Sequence, residues 1–256
     1  MNKYSDKIKE LEQEEKFNEH IVPVNPKHVK PLGKNFKYFP KNPLYKIYSA
    51  IIHGFLNVVG PAFTKIAYKM KIEGRRKLKG IKSAIVTCNH VMFTDNLISR
   101  VAVKKNKVFF AGDNFNNKKG LGGLSLRAGG FIPMGESYSE KVKFAKALER
   151  ALKHNSYVVF FPEGSLWPEY EKPRPFKRGA FYYACKNDVP VIPVFICFQQ
   201  LKTKKDRYRV ITKILEPVYK NNDIATEKDQ IKDMQEKTEL AYKEEYEKFY
   251  NKKLTY

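Results

Sequence analysis

The stretch SAIVTCNHVMFTDNLISRVAV, residues 83–103, decides how the chain is read. Ser83 to Cys88 is a short apolar run rich in β-branched residues and reads as a buried strand. The run stops at Asn89-His90, and Asp95 to Val103 then reads as a helix. A strand that ends in a polar loop and turns into a helix is the repeating step of an α/β sheet, where ligands collect outside the carboxyl ends of the strands. His90 stands at such an end, and an imidazole is suited to proton transfer near neutral pH. Asp95, five positions on, can reach one ring nitrogen across a tight loop. It would fix the tautomer while the other nitrogen takes a proton from a hydroxyl. The alternative is an ordinary loop histidine with Asp95 capping the helix.

Outward from this stretch the pattern repeats. Lys107 to Ala111, Tyr157 to Phe161 and Val191 to Phe198 read as strands. Ser137 to His154 reads as a helix: Ser137 and Glu140 have capping-box spacing, and Val142, Ala145, Leu148, Ala151 and Leu152 form its apolar face. The tail from Glu227 to Asn251 reads as a surface helix. The expectation is one α/β domain over residues 73–256, with a mixed, partly parallel sheet and helices on both faces. Residues 44–72 have helical periodicity, with Leu44, Tyr48, Ile51, Ile52, Phe55, Val59 and Ala62 on one stripe. Gly60 and Pro61 are expected to break it into an amphipathic pair, the second helix carrying Phe63, Ile66, Ala67 and Met70. The pair is read as a cover for the core, with a membrane-interface anchor as the alternative. Residues 1–43, with a charged start and Pro23, Pro26, Pro31, Pro40 and Pro43, read as an accessory arm.

The composition bounds the function. The 256 residues, 42% hydrophobic, suffice for one sizeable core. A net charge of +22 implies anionic partners: nucleic acid, an anionic membrane surface or an acidic carrier protein. Its clusters are Arg75-Arg76-Lys77 with Lys79, Lys104-Lys105 with Lys107, Lys118-Lys119, and Lys202 to Arg209. No nucleic-acid partner is expected. Charge and 18 Phe plus 16 Tyr residues stand alone, without zinc spacing, a helix-turn-helix pattern or an RNA-binding aromatic signature. The three cysteines, Cys88, Cys185 and Cys197, have no CxxC spacing, which argues against a disulfide framework or a zinc site. Met1 to Asp6 lacks an apolar signal core. Ile47 to Phe63, interrupted by His53, Asn57 and Pro61, falls short of about 18 uninterrupted apolar residues. A peripheral protein on the cytoplasmic face of a membrane is expected.

Two further strand ends carry polar loops or architectural residues. Phe160-Phe161-Pro162-Glu163-Gly164-Ser165 sets a carboxylate, as an acceptor for substrate hydroxyls, beside a glycine that permits close approach. Val189-Pro190-Val191-Ile192-Pro193-Val194 frames a buried strand with prolines.

Together, Asn89-His90-x4-Asp95, Gly130-Phe131-Ile132-Pro133-Met134, Phe161-Pro162-Glu163-Gly164-Ser165 and Val189 to Val194 resemble the four ordered blocks of the glycerolipid acyltransferases, which include the lysophosphatidic acid acyltransferases. The resemblance runs from about Ile72 to Pro217. It implies an acyl thioester donor, acyl-CoA or acyl carrier protein, and a lysolipid or related hydroxyl acceptor. His90 would be the general base supported by Asp95, with no covalent enzyme intermediate and no cofactor beyond the donor. It implies substrate-binding roles for Asn89, Gly130, Phe131, Ile132, Glu163, Gly164 and Ser165. Two positions depart from the pattern. Glu136 and Leu166 stand where the family usually carries arginines, and such forks suit a phosphate. Arg127, Arg174, Lys177 and Arg178 are candidates to replace them. The alternative is a phosphate-free acceptor such as a sugar or polyol, and a non-catalytic lipid-binding protein is a third reading.

Overall fold

A computed structural model describes residues 3–23, 27–33, 35–201 and 208–256; Pro26 and the basic run at 202–207 lie outside them. The centre is a seven-stranded sheet of β1 (Lys71–Glu73), β2 (Ala84–Cys88), β3 (Val108–Asp113), β4 (Phe131–Met134), β5 (Tyr157–Phe160), β6 (Val191–Gln200) and β7 (Tyr208–Ile214). Its order is β1-β7-β6-β2-β5-β3-β4. All neighbours are parallel except β6 and β7, so the sheet is mixed and mostly parallel, as expected. β2 lies in the middle, buried along its whole length, with Ile85 opposite Val158 and Val191. That explains its unbroken apolar run: a parallel strand covered on both faces has no polar side to show.

The helices are α1 (Ser5–Gln13), α2 (Pro43–Tyr68), α3 (Asp95–Val103), α4 (Gly120–Ala128), α5 (Tyr138–Lys153), α6 (Gly179–Lys186) and α7 (Glu227–Tyr250). One core gathers α5, α6 and α7 on the sheet through Phe144, Leu148, Phe181 and Tyr242. Another lies under α3 around Ile98, Val86 and Ile192. The capping box of α5 forms in full between Ser137 and Glu140.

One proline needs an account, and one expectation needs correction. Pro193 sits inside β6, a central strand, although proline lacks the ladder donor. Its carbonyl accepts from Leu215 N, on the β7 side, while β7 pairing begins only at Val194 opposite Ile214. The missing N–H points the same way, toward Leu215, so the proline costs one bond at the start of the β7 ladder and leaves the pairing with β2 intact.

The expected helix pair at 44–72 is one helix. Asn42 caps α2 by accepting from Leu44 N, Pro43 opens it, and the helix runs through Pro61 to Tyr68. Packing overrides the breaker. Gly60 lies so close to α3 that a Cβ there would stand 2.9 Å from Leu97 Cδ1. Thr64 Oγ1 donates to the Gly60 carbonyl at 3.0 Å. Nor does the apolar stripe cover the core. The polar side of α2 faces the protein: Tyr48 meets Ser125 Oγ at 2.6 Å, Ser49 donates to Ala128 O at 2.7 Å, and His53 pairs with Arg100 at 3.1 Å. Leu44, Ile47, Ile51, Phe55, Val58 and Ile66 point outward, with Leu44, Val58 and Ile66 at least 75% exposed. The helix is long and apolar enough to cross a membrane, and only 11% of its apolar window is buried in the protein.

Candidate active site

β2 ends at Cys88, and the next residue finishes its hydrogen bonding by side chain. Asn89 is fully buried, accepts from Ile196 N at 2.7 Å and donates to Ile196 O at 3.0 Å. Its amide copies one more strand residue against β6, leaving nothing for a substrate, so the expected substrate contact at Asn89 is replaced by a structural one. The chain then turns out and presents His90.

His90 Nδ1 lies 2.8 Å from Asp95 Oδ2, and the same oxygen accepts from Val91 N at 2.9 Å and Met92 N at 3.0 Å. The five-residue spacing works because those two amides curl the loop around the carboxylate. Asp95 is 1% exposed. Burial raises its pKa, while the bonds from His90, Met92 and Val91 pull it back down. The His90 side chain is 25% exposed, and its ring stacks on Phe161 with centroids 4.3 Å apart. With Nδ1 engaged, Nε2 is the nitrogen left to accept a substrate proton.

The third block grips this loop from behind. Glu163 Oε2 accepts from His90 N at 3.1 Å, Trp167 N donates to His90 O at 3.0 Å, and Glu169 N donates to Val91 O at 2.8 Å. Glu163 is fully buried and paired with Arg174, whose Nη2 is 2.6 Å from Oε2 and whose N donates to Oε1 at 3.1 Å. Glu163 is therefore not open to a substrate hydroxyl, contrary to expectation. Ser165 is 1% exposed, accepts from Arg174 Nη1 at 2.9 Å, and is likewise withdrawn. Arg174 also donates to Phe17 O, and Trp167 Nε1 donates to Glu19 O. Phe17, Ile8, Leu11 and Ile21 of the arm pack with Trp167 and Tyr170, and Lys172 pairs with Glu12. The arm thus closes the block where Leu166-Trp167 replaces the family's arginine.

The second block is structural as well. Phe131 and Ile132 are buried in β4, and a Cβ on Gly130 (φ +109°) would meet Val108 O at 2.5 Å. Gly164 (φ +81°) is different: a Cβ there would stand 2.4 Å from Lys177 Nζ, so the ammonium rests directly on the block-three turn. Of the other candidate cations, Arg127 is spent on Asn117 Oδ1 and Lys118 O, and Arg178 on Lys228 O. Cys88 is fully buried, and burial drives its thiol pKa well up, so it is no nucleophile. Among the described residues no three His, Cys, Asp or Glu side chains gather as a metal site.

Arg174 is a buried partner of Glu163 and Ser165 rather than the phosphate-binding cation offered by the sequence, and neither that role nor the stacking of Phe161 on His90 is assigned by the sequence alone. A proline on each side of Arg174 is the one local signal that its segment is held extended.

Comparison with known proteins places the chain in a family. The chain is 27% identical over 191 residues to an uncharacterized acyltransferase of Schizosaccharomyces pombe, covering 71% of this chain and 67% of that one. It is 30% identical over 155 residues to human 1-acyl-sn-glycerol-3-phosphate acyltransferase beta, covering 55% and 52%, so the match spans about half of the human protein. The crystal structure of the 1-acyl-sn-glycerophosphate (LPA) acyltransferase PlsC from Thermotoga maritima shares the fold with a TM-score of 0.57, at 20% identity over 84% of this chain and 98% of that chain. The acyltransferase family profile matches residues 69–197, from β1 to near the end of β6, and so takes in both strand ends that build the His90 loop; this chain belongs to the acyltransferase family.

Proposed function

We propose that the chain transfers a fatty acyl group from an acyl thioester, acyl-CoA or acyl-acyl carrier protein, to a hydroxyl of a lysophospholipid. The observation that carries this reading is the His90 Nδ1–Asp95 Oδ2 pair at 2.8 Å, set on Phe161 with no partner on the other ring nitrogen among the described residues. His90 Nε2 takes the acceptor hydroxyl proton as the oxygen attacks the thioester carbonyl. Asp95 stabilises the imidazolium. The tetrahedral adduct then collapses, the C–S bond breaks, and His90 returns the proton to the leaving thiolate. Burial of Cys88 and Ser165 supports direct transfer without an acyl-enzyme.

The exposed apolar face of α2, with Phe93 in the His90 loop, supports work at a membrane surface, where a lysolipid acceptor resides. Lysine and arginine surplus favours an anionic leaflet. For the acceptor phosphate, Lys177 is the exposed cation at the block-three turn, and it supports a lysophosphatidate-type acceptor despite Glu136 and Leu166.

The test uses purified protein, His90→Ala and Lys177→Gln with labelled acyl donors and lysophosphatidate, lysophospholipids, monoacylglycerol and polyols. Product that disappears in His90→Ala, with unchanged thermal stability, is expected. Lys177→Gln should raise KM for lysophosphatidate about tenfold and leave monoacylglycerol unaffected. Equal activity of Lys177→Gln on both would favour the phosphate-free acceptor. Loss of fold in His90→Ala, or activity that survives it, would sink the catalytic assignment.

A further inference from the structure

The arm and α5 enclose a groove of about 570 Å³ that the reaction chemistry above does not use. Five cations line it: Lys37 and Lys41 from the arm, and Lys143, Lys146 and Arg150 from α5. No carboxylate is among its lining residues, and Lys37, Lys41 and Lys146 make no ion pair among the described residues. Like charges gathered in one concavity repel, and a polyanion that fills it removes the repulsion.

The same groove has aromatic walls. Phe36 and Tyr38 stand edge to face at 5.0 Å, Phe39 packs edge to face on Phe109 at 5.4 Å, and the Arg150 guanidinium lies 5.3 Å over Phe39. Tyr38 OH donates to Pro133 O at 3.0 Å, which ties the wall to β4. The groove therefore combines held rings for a planar base with multiple cations for phosphates, in a volume within the usual range of small-ligand sites.

We infer that this groove binds the adenosine 3′,5′-bisphosphate end of an acyl-CoA donor. The identity of the nucleotide rests on the acyl-transfer reading; the cationic, ring-walled site does not. Tyr38 ties the groove to β4, three strands from β2 in the sheet, a lateral offset of about 14 Å at ordinary strand spacing that the pantetheine arm must span in addition to the offset along α5. A lipid headgroup would satisfy the charge but make no use of the rings, and the convex face of a carrier protein would not fill the concavity.

The experiment uses full-length protein and adenosine 3′,5′-bisphosphate as the probe, followed by calorimetry. Lys37→Glu/Lys146→Glu changes two side chains on separate segments, and its thermal unfolding serves as the folding control. Binding to wild type, weakened about tenfold or more in the double variant, is expected. In turnover, KM for acyl-CoA should rise by a similar factor while kcat and the acceptor KM stay put. His90→Ala should bind the probe like wild type. Binding of the probe in a protein that acylates nothing would uphold the site and sink the proposed function. Absent binding, or binding indifferent to the two substitutions, would overturn the inference. So would substitutions that release the protein from phosphatidylserine vesicles, or weaken an acyl carrier protein donor, without touching nucleotide binding.

Discussion

The ends of β2 and β5 each deliver a buried carboxylate to the same loop, and the two are neutralised differently. Asp95 faces the His90 ring, while Glu163 faces the His90 backbone N–H. The partner of Asp95 is a partly exposed histidine, whose charge can change during a reaction. The partner of Glu163 is Arg174, wholly buried and held in a fixed ion pair. In the proposed reaction one strand end alternates between charge states while the other holds a fixed one. Chemistry and precision are thus separated between two carboxylates that look alike in sequence.

Asp95→Asn tests the first half of that contrast and should have the largest effect. The amide can still accept from Val91 and Met92, so the loop keeps its shape. It cannot stabilise an imidazolium, and kcat should fall by about 10³–10⁴-fold with little change in KM. Stability carries a second signature. Burial raises the Asp95 pKa, so the folded state holds that proton more tightly than the unfolded chain. The Asp95 contribution is fully present below the ordinary carboxylate range and is lost as pH rises through the folded value. The Asp95→Asn variant would lack that slope in urea titrations at stepped pH. A kcat within tenfold of wild type would remove Asp95 from the mechanism.

Arg174→Met addresses the second half. It strands Glu163 as a buried charge and should cost about 3–5 kcal/mol in urea unfolding. Adding Glu163→Gln should recover part of that loss, because the orphaned charge goes with it. Additive costs would mean the two groups do not act as a pair.

What the sequence discloses follows from the range of the interactions. Asp95 to Val103, the α5 capping box and the apolar runs of β2, β3, β5 and β6 depend on neighbours within a few positions, and they are legible. The His90–Asp95 pair is legible for the same reason. Arg174 meets Glu163, 11 residues away, only after the intervening loop turns back, and its other partners His90 and Phe17 are 84 and 157 residues away. Nothing local marks such a pairing. The outward face of α2 departs from expectation because periodicity locates an apolar stripe without saying what covers it. In α2 the polar stripe found the protein, through Ser125, Ala128 and Arg100, and the apolar one was left outside. β4 and β1 give little signal as runs of four and three residues, and in β7 the polar Arg209, Thr212 and Lys213 interrupt the apolar run.

Phe161→Leu should act more gently than either carboxylate pair. The ring offers its face to His90 at 4.3 Å, where it both restrains the imidazole and favours the cationic form that arises as the hydroxyl proton transfers. A leucine keeps the bulk and loses the π face. A three- to tenfold fall in kcat is expected from a contact worth about 1 kcal/mol, with KM and thermal stability nearly unchanged. A large drop in stability would make Phe161 a packing residue instead.

Ser165→Ala should do least, and for that reason it separates the two strand ends most sharply. Ser165 belongs to a block whose hydroxyl would be expected to touch substrate, yet its Oγ accepts from Arg174 at 2.9 Å and lies 3.4 Å from Phe17 O, behind the arm. Removing it deletes two hydrogen bonds, one of them long, within a hub that keeps its Glu163 and Ser165 carbonyl contacts. Stability should fall by about 1 kcal/mol, and kcat and both KM values should hold within about twofold. If the acceptor KM rose while stability did not, Ser165 would have to reach the substrate. The arm would then have to leave the block during turnover, and the fixed strand end would not be fixed.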